Sequence, residues 1–268
     1  MARKSKLARS RQRTNIFLGS MALLVVIGMI SGAVWWWSRK KAGIDPNTLC
    51  PSDGPIGHHV LLIDKTDPFN LPQKAAFDLI VTDLVTKQTP AGYLLSIYVL
   101  GDDFKAQTKP LVELCNPGDA KGHSEWTENT KQLNRQYKER FLKPVFAQST
   151  ELLSVTTAQE SPILEMLQMV NLNSLQKHDV DGPKQLIVLS DLLQNSKQLS
   201  MYKSTPDFEV FNATAYAQKT KVNFEGVEIK VHLLQNAPQL QKQNLFDFWK
   251  SYFSNSGAAK FELTALPG

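Results

Sequence analysis

The longest apolar pattern in the chain runs from Ile16 to Trp37 without an Asp, Glu, Lys, Arg or His. Its 22 residues, at about 1.5 Å rise each, match a hydrocarbon layer of roughly 30 Å and predict one transmembrane helix. A cleavable signal peptide is the competing reading, but its apolar region covers only about 7 to 15 residues and closes in small side chains. Here the run closes in Trp35, Trp36 and Trp37, followed by Arg39, Lys40 and Lys41, a combination suited to the headgroup layer. Six cations precede the run (Arg3, Lys4, Lys6, Arg9, Arg11 and Arg13) against three just after it. That excess places residues 1–15 in the cytoplasm and everything behind the helix outside. Gly28 and Gly32 have the Gly-x-x-x-Gly spacing that permits close helix approach, although small residues also face lipid in membrane spans.

Residues 38–57, with Pro, Gly, Asp and Asn and no apolar periodicity, predict a short stalk. Residues 58–268 then suffice for one sizeable core. Val60-Leu61-Leu62-Ile63 is a continuous aliphatic run of the kind buried on both faces of a sheet. From Leu71 to Thr86, Phe77, Ile80, Val81, Leu84 and Val85 recur at spacings of three and four and predict a helix. Leu94–Leu100 reads as a second strand. Pro110–Cys115, soon after Gly101-Asp102-Asp103, reads as an antiparallel edge strand. Helices over Glu125–Phe146 and Ile163–Leu175 lead to the apolar strand Leu186–Leu189. A helix over Asp207–Thr220, a strand over Val227–Leu234, a helix over Leu240–Phe253 and a strand over Phe261–Leu266 complete the series. Alternation of this kind predicts a three-layer, doubly wound, mostly parallel α/β sheet covered on both faces.

The formal net charge of +5 invites a nucleic-acid reading, yet nine of the 30 Lys and Arg lie in the first 41 residues, which contain no acid. The remainder has 21 basic residues (30 − 9) against 25 acidic ones, a net of −4. Basicity therefore belongs to the anchor, where cations attract anionic lipid. No local basic patch is evident beyond it, and no nucleic-acid partner is expected. The two cysteines, Cys50 and Cys115, both lie in the outward part, where an oxidising compartment lets them pair; two unrelated thiols is the other reading. A bond between them would tie the stalk to the edge strand.

Ligands of an open parallel sheet bind outside the carboxyl ends of its strands, where strand order reverses. The first strand ends in Asp64-Lys65-Thr66-Asp67-Pro68, the fourth in Ser190-Asp191, and Ser161-Pro162 precedes the helix at Ile163. Hydroxyls with one or two carboxylates suit a small hard cation such as Mg²⁺, which prefers oxygen ligands and keeps several waters. At these residues the chain resembles the von Willebrand factor type A family, also called the integrin I-domain fold. Its metal-ion-dependent adhesion site uses Asp-x-Ser-x-Ser after the first strand, a Thr in a later loop and an Asp after the fourth strand. The resemblance implies Asp64, Thr66, Ser161 and Asp191 as ligands of Mg²⁺ or Mn²⁺, with Asp67 as an additional candidate ligand. Two positions depart from the pattern. Pro68 stands where the second serine would offer a hydroxyl, and Ser161 replaces the Thr. Asp67 also suits the cap of the following helix, and Asp64 and Asp191 suit turns at strand ends.

Other residues add less. His58 and His59 have no ligand-spaced partner and read as surface histidines; His123, His178 and His232 are scattered. Gly-x-Ser-x-Gly, a Walker A loop and His-Glu-x-x-His are absent, so no catalytic residue is assigned. The aromatic stripe Leu245, Phe246, Phe248, Trp249, Tyr252 and Phe253 reads as core. The resemblance implies a membrane-tethered module that binds a protein partner, through an acidic residue of that partner where a cation bridges. The alternative is a metal-free structural subunit of a larger membrane complex, and a metal-dependent hydrolase with Asp67 as base comes third. Nothing in the sequence sets a homo-oligomeric state. A bacterial inner membrane with a periplasmic domain is the expected location. On a eukaryotic surface, the sequon Asn212-Ala213-Thr214 would matter.

Overall fold

The computed structural model describes residues 20–35, 43–101, 109–120, 129–152, 158–178 and 180–266. They belong to two compact units, Met1–Gly43 and Ile44–Gly268. In the first, residues 20–35 form a helix, α1, exposed along its whole length. No helix among the described residues is long and apolar enough to cross a membrane; residues 16–19 and 36–37 of the span expected from the sequence lie outside the described residues.

The second unit is built on a six-stranded sheet. Its strands are β1 (Gly57–Asp64), β2 (Tyr93–Leu100), β3 (Val112–Cys115), β4 (Lys184–Ser190), β5 (Val227–Leu234) and β6 (Lys260–Leu266). The order is β3-β2-β1-β4-β5-β6, parallel throughout except for the antiparallel pair β2–β3. A mostly parallel α/β sheet with one antiparallel edge strand is what the hydrophobic pattern predicts. β1 is buried at all eight positions; it sits at the centre, so both of its side-chain rows need cover.

That cover comes from two layers. On one face, α2 (Leu71–Asp83) and α4 (Lys143–Leu152) pack Phe77, Val81 and Val145 against Leu61, Ile63 and Ile97. On the other, α5 (Ile163–Val170), α6 (Phe208–Asn212) and α8 (Gln243–Asn255) pack against Val60, Leu62, Leu186 and Val188. The alternation of Leu61 and Ile63 with Val60 and Leu62 between the two cores is the period-2 geometry of a strand. The expected aromatic stripe of α8 is core: Leu245, Phe248, Trp249, Tyr252 and Phe253 are all buried.

Several boundaries shift for local reasons. The predicted helix from Leu71 ends at Asp83 and continues as a π-helical turn over Leu84–Gln88. It starts with a capping box, Asn70 accepting from the Gln73 backbone while Gln73 reaches back, so Asn70 rather than Asp67 is the cap. The expected helix over Asp207–Thr220 is two, α6 and α7 (Ala215–Lys219), because Thr214 caps the second. The helix expected from Glu125 is described from Thr130: α3 (Thr130–Gln136) joins α4 through a π-helical stretch, Tyr137–Leu142. The faces are not covered equally. On the α2 side of β5 and β6, Glu228, Glu262 and Thr264 are exposed, so this corner of the sheet is polar instead of packed.

His58 and His59 are buried rather than on the surface. Strand β1 begins at Gly57, ahead of the aliphatic run, so both rings lie within the central strand. His58 Nε2 is 2.9 Å from Ser96 Oγ and His59 Nδ1 3.2 Å from Thr89 Oγ1. Burial, with the neighbouring His178, lowers the His58 pKa to about 3, so the ring is neutral.

The segment expected to be a free stalk is packed from Ile44 onward. Leu49 is only 2% exposed, the Cys115 amide donates to the Thr48 carbonyl at 2.8 Å, and Cys50 is bonded to Cys115 across 65 residues. Closing a loop of that length stabilises by about 4 kcal/mol in the chain-entropy model. Reduction, or Cys50→Ser with Cys115→Ser, should lower the unfolding free energy by about 2 to 4 kcal/mol, read from the shift of the urea midpoint with and without reductant. A midpoint that does not move would show that the bond constrains nothing.

Candidate metal and partner site at the strand ends

The two central strands β1 and β4 are parallel neighbours, Ile63 pairing with Leu189. The chain leaves β1 for α2 on one face and leaves β4 for α6 on the other. Their diverging exits open a crevice at the carboxyl edge, the position where α/β sheets bind ligands. Asp64, the last residue of β1, and Asp191, the residue after β4, meet there.

Asp64 is only 4% exposed, and its oxygens accept from three segments. Thr66 donates its hydroxyl (2.7 Å) and its amide (3.1 Å) to Oδ1. Ser190 and Ser161 donate to Oδ2 at 2.7 and 3.3 Å. Ser161 is held in place by backbone bonds, its amide donating to the Asn195 carbonyl at 2.7 Å and its carbonyl accepting the Asn195 amide at 2.8 Å. The Ala158 amide donates to the Thr66 carbonyl at 2.9 Å. The loop before α5 is thereby laced both to the end of β1 and to the loop after β4.

Asp191 is as deeply buried, yet less well served. Its Oδ1 accepts the Leu193 amide at 2.9 Å, while Oδ2 is buried without a hydrogen-bond partner. Burial raises the pKa of both carboxyls; for Asp191 the nearby Asp64 and Asp67 push it further up. Asp67 is only half-buried and its carboxylate accepts from Tyr202 at 3.4 Å. Leu192 follows Asp191 in the left-handed region, φ 62°, which costs a branched side chain about 1 kcal/mol or more. The Ser190 hydroxyl accepts the Leu192 amide, and Trp249 Nε1 donates to the Leu192 carbonyl, both at 2.9 Å. This is a backbone clamped in an unfavourable conformation beside the crevice.

The sequence-derived residues Asp64, Thr66, Ser161 and Asp191 are thus brought together, with Asp67 at their margin. Pro68 is exposed and has no donor to offer. Three contributors escaped sequence reasoning. Ser190 donates directly to Asp64, a role that its place beside Asp191 at the end of an apolar strand could have signalled. Tyr202 reaches Asp67, and Gln241 donates to the carbonyls of Asp191 and Leu234; no local pattern marks either.

The donor set fits a small hard cation. Two carboxyls and three hydroxyls offer oxygen, one carboxyl oxygen is buried without a partner, and a second buried carboxyl adjoins it. The cluster is not of the imidazole or thiolate kind, and no group of three or more His, Cys, Asp or Glu among the described residues is disposed to hold a metal ion.

Neither a family model nor a curated protein matches the chain. Solved structures do. The VWA domain of SpRpn10 is similar at a TM-score of 0.40 and 10% identity, over 79% of this chain and 89% of that one. The human COPII-coat protein Sec24c is similar at 0.39 and 9% identity, over 79% of this chain and 30% of that one.

Because both carboxyls titrate above their ordinary value of 3.8, the folded state keeps protons that the unfolded chain releases. Without a cation, the stability that this contributes is complete below about 3.8 and declines as pH rises through the raised values. Asp191→Asn should remove most of that decline and raise chelator-treated stability at neutral pH by about 1 to 3 kcal/mol. Urea unfolding across pH 3 to 8 measures it; a variant as pH-dependent as the parent would contradict the paired burial.

Proposed function

We propose that the chain is a membrane-tethered protein-interaction module. Its outward part is a von Willebrand factor type A-like domain that binds a protein partner at the strand-end crevice. A divalent cation, Mg²⁺ or Mn²⁺, is held there by Asp64, Thr66, Ser161 and Asp191, and an acidic residue of the partner completes its coordination. The observation that carries this reading is the unpartnered Asp191 Oδ2, buried beside a second buried carboxylate. Two such groups repel unless a proton or a cation lies between them. A cation left with open positions would accept a carboxylate from outside, and Pro68 and Tyr202, both exposed beside Asp67, offer surface to a protein partner. Tethering rests on the uncharged run Ile16–Trp37 and its flanking cations, with the outward part in the periplasm or outside the cell.

The saturation of Asp64 supports a second reading. Its oxygens already accept four hydrogen bonds from within the chain, and Pro68 offers no ligand. A metal-free structural subunit, with the aspartate serving as a knot between loops, is consistent with that. The two readings differ in what Asp64→Ala does.

Calorimetric titration of Mg²⁺ and Mn²⁺ into the full chain in detergent should show one site with a dissociation constant of millimolar or below, lost in Asp64→Ala and in Asp191→Ala. Circular dichroism checks that the variants fold. Absence of binding at 10 mM, about −2.7 kcal/mol, in a folded parent protein would leave the structural-subunit reading standing.

A further inference from the structure

The helical stretch from Thr130 through the π-helical turn to α4 does what the charge balance of the outward part conceals. Lys131, Arg135, Lys138, Arg140 and Lys143 are all exposed, and Glu139 is the only acid between residues 129 and 148. The domain as a whole is acidic, so this concentration of five cations is local. It corrects the expectation that no basic patch exists beyond the anchor. Asn129, Lys131, Gln132, Arg135, Gln136, Glu139 and Arg140 border an open depression of about 1020 Å³, and Glu139 pairs with Lys143 at 3.3 Å. α3 buries none of its residues, so its cations do not serve packing.

The location of this face identifies its partner. The Arg140 guanidinium donates to the carbonyl of Pro46, and Pro46 lies two residues past Ile44, where the domain begins. The same entry segment is fixed to β3 by Cys50–Cys115 and by the bond from Cys115 to Thr48. Arg140 therefore adjoins the point at which the chain enters the domain, with the other four cations on the same helical stretch, and the sequence just before that point adds Arg39, Lys40 and Lys41. In a chain tethered by the preceding apolar run, the entry point is the part of the domain joined most directly to the tether.

We infer that the exposed face of residues 131–143 is a docking surface for the anionic headgroups of the membrane in which the chain is anchored. The inference rests on the tethering proposed above. Clustered Lys and Arg near a bilayer respond to anionic lipid, and each is worth about a fivefold change in binding. The attraction is screened within about 10 Å at 0.1 M salt, so it acts only on a face that the tether brings close to the surface. Docking would fix which way the strand-end crevice points.

The full chain, carrying a donor dye on Gln132→Cys, is reconstituted into vesicles of phosphatidylcholine alone or with 30% phosphatidylglycerol, each with a headgroup-attached acceptor. The expected result is stronger energy transfer in the anionic vesicles, reduced by 0.5 M salt. Neutralising Lys131, Arg135 and Lys138 to Gln should lower the docked-to-free ratio about 100-fold, and reversing them to Glu lowers it further. An alkaline wash separates the two claims. A chain that stays with the vesicles but transfers equally in both lipids, with or without the reversals, overturns docking and leaves tethering intact. A chain that washes off overturns tethering and docking together. Charge-dependent retention on heparin, combined with lipid-independent transfer, assigns the face to a soluble polyanion and overturns the lipid.

Discussion

The carboxylate of Asp64 sits at the end of the most buried strand, out of reach of bulk water. An isolated charge at that depth costs several kcal/mol, so its four hydrogen bonds are a condition of the fold at this edge. They come from Thr66 just ahead, from Ser161 in the loop before α5, and from Ser190 at the end of β4. Three segments far apart in sequence are thereby fixed to one group. The backbone bonds between Ser161 and Asn195 and between Ala158 and Thr66 then hold the loops in the register that those side chains need. Asp191 is placed beside this knot by the same strand pairing, and its strained successor Leu192 is pinned from both sides by Ser190 and Trp249. The order of dependence runs from the sheet to Asp64, from Asp64 to the loops, and from the loops to the unpartnered oxygen of Asp191.

Much of this was legible in the sequence because strands buried on both faces leave a strong trace. Val60–Ile63 and Leu186–Leu189 are uninterrupted aliphatic runs, and their central positions follow from that alone. Once both are placed as parallel neighbours, Asp64 and Asp191 fall at the same edge, so the core of the site was readable from two strand ends. Ser161 was placed at this edge by the loop before the helix at Ile163, but its role as a ligand came only from the family resemblance, since nothing about a lone Ser-Pro predicts an approach to Asp64 across 97 residues.

What was not legible has a common physical cause. Sequence patterns report the burial of apolar groups, whereas a buried polar residue looks like a surface one until its partner is known. His58 and His59 precede the apolar run and read as exposed, yet they belong to β1 and are satisfied by Ser96 and Thr89. Leu49 lies among Pro, Asp and Asn, and its burial depends on a disulfide to a residue 65 positions beyond Cys50. Gln241 carries no local signal at all, although it joins the carbonyl edges of β4 and β5. Each of these is a long-range pairing between groups that are individually unremarkable.

Charge behaves in the opposite way, being easy to count and hard to place. A net of −4 over the residues from 42 onward averages five exposed cations on one helical stretch against acids distributed elsewhere, and the average has no physical effect at contact distance. Screening confines the field of a surface charge to roughly 8 to 10 Å at cellular ionic strength, so a partner meets the local cluster and not the sum. The basic stretch is continuous in sequence, Lys131 to Lys143, but only its exposure and the bond from Arg140 to Pro46 distinguish it from an ordinary solvated helix. The two polar features of the domain thus answer to different constraints. The strand-end carboxylates are few, buried and held by geometry, which suits recognition of a single group. The helix cations are many and solvent-facing, which suits an extended anionic surface.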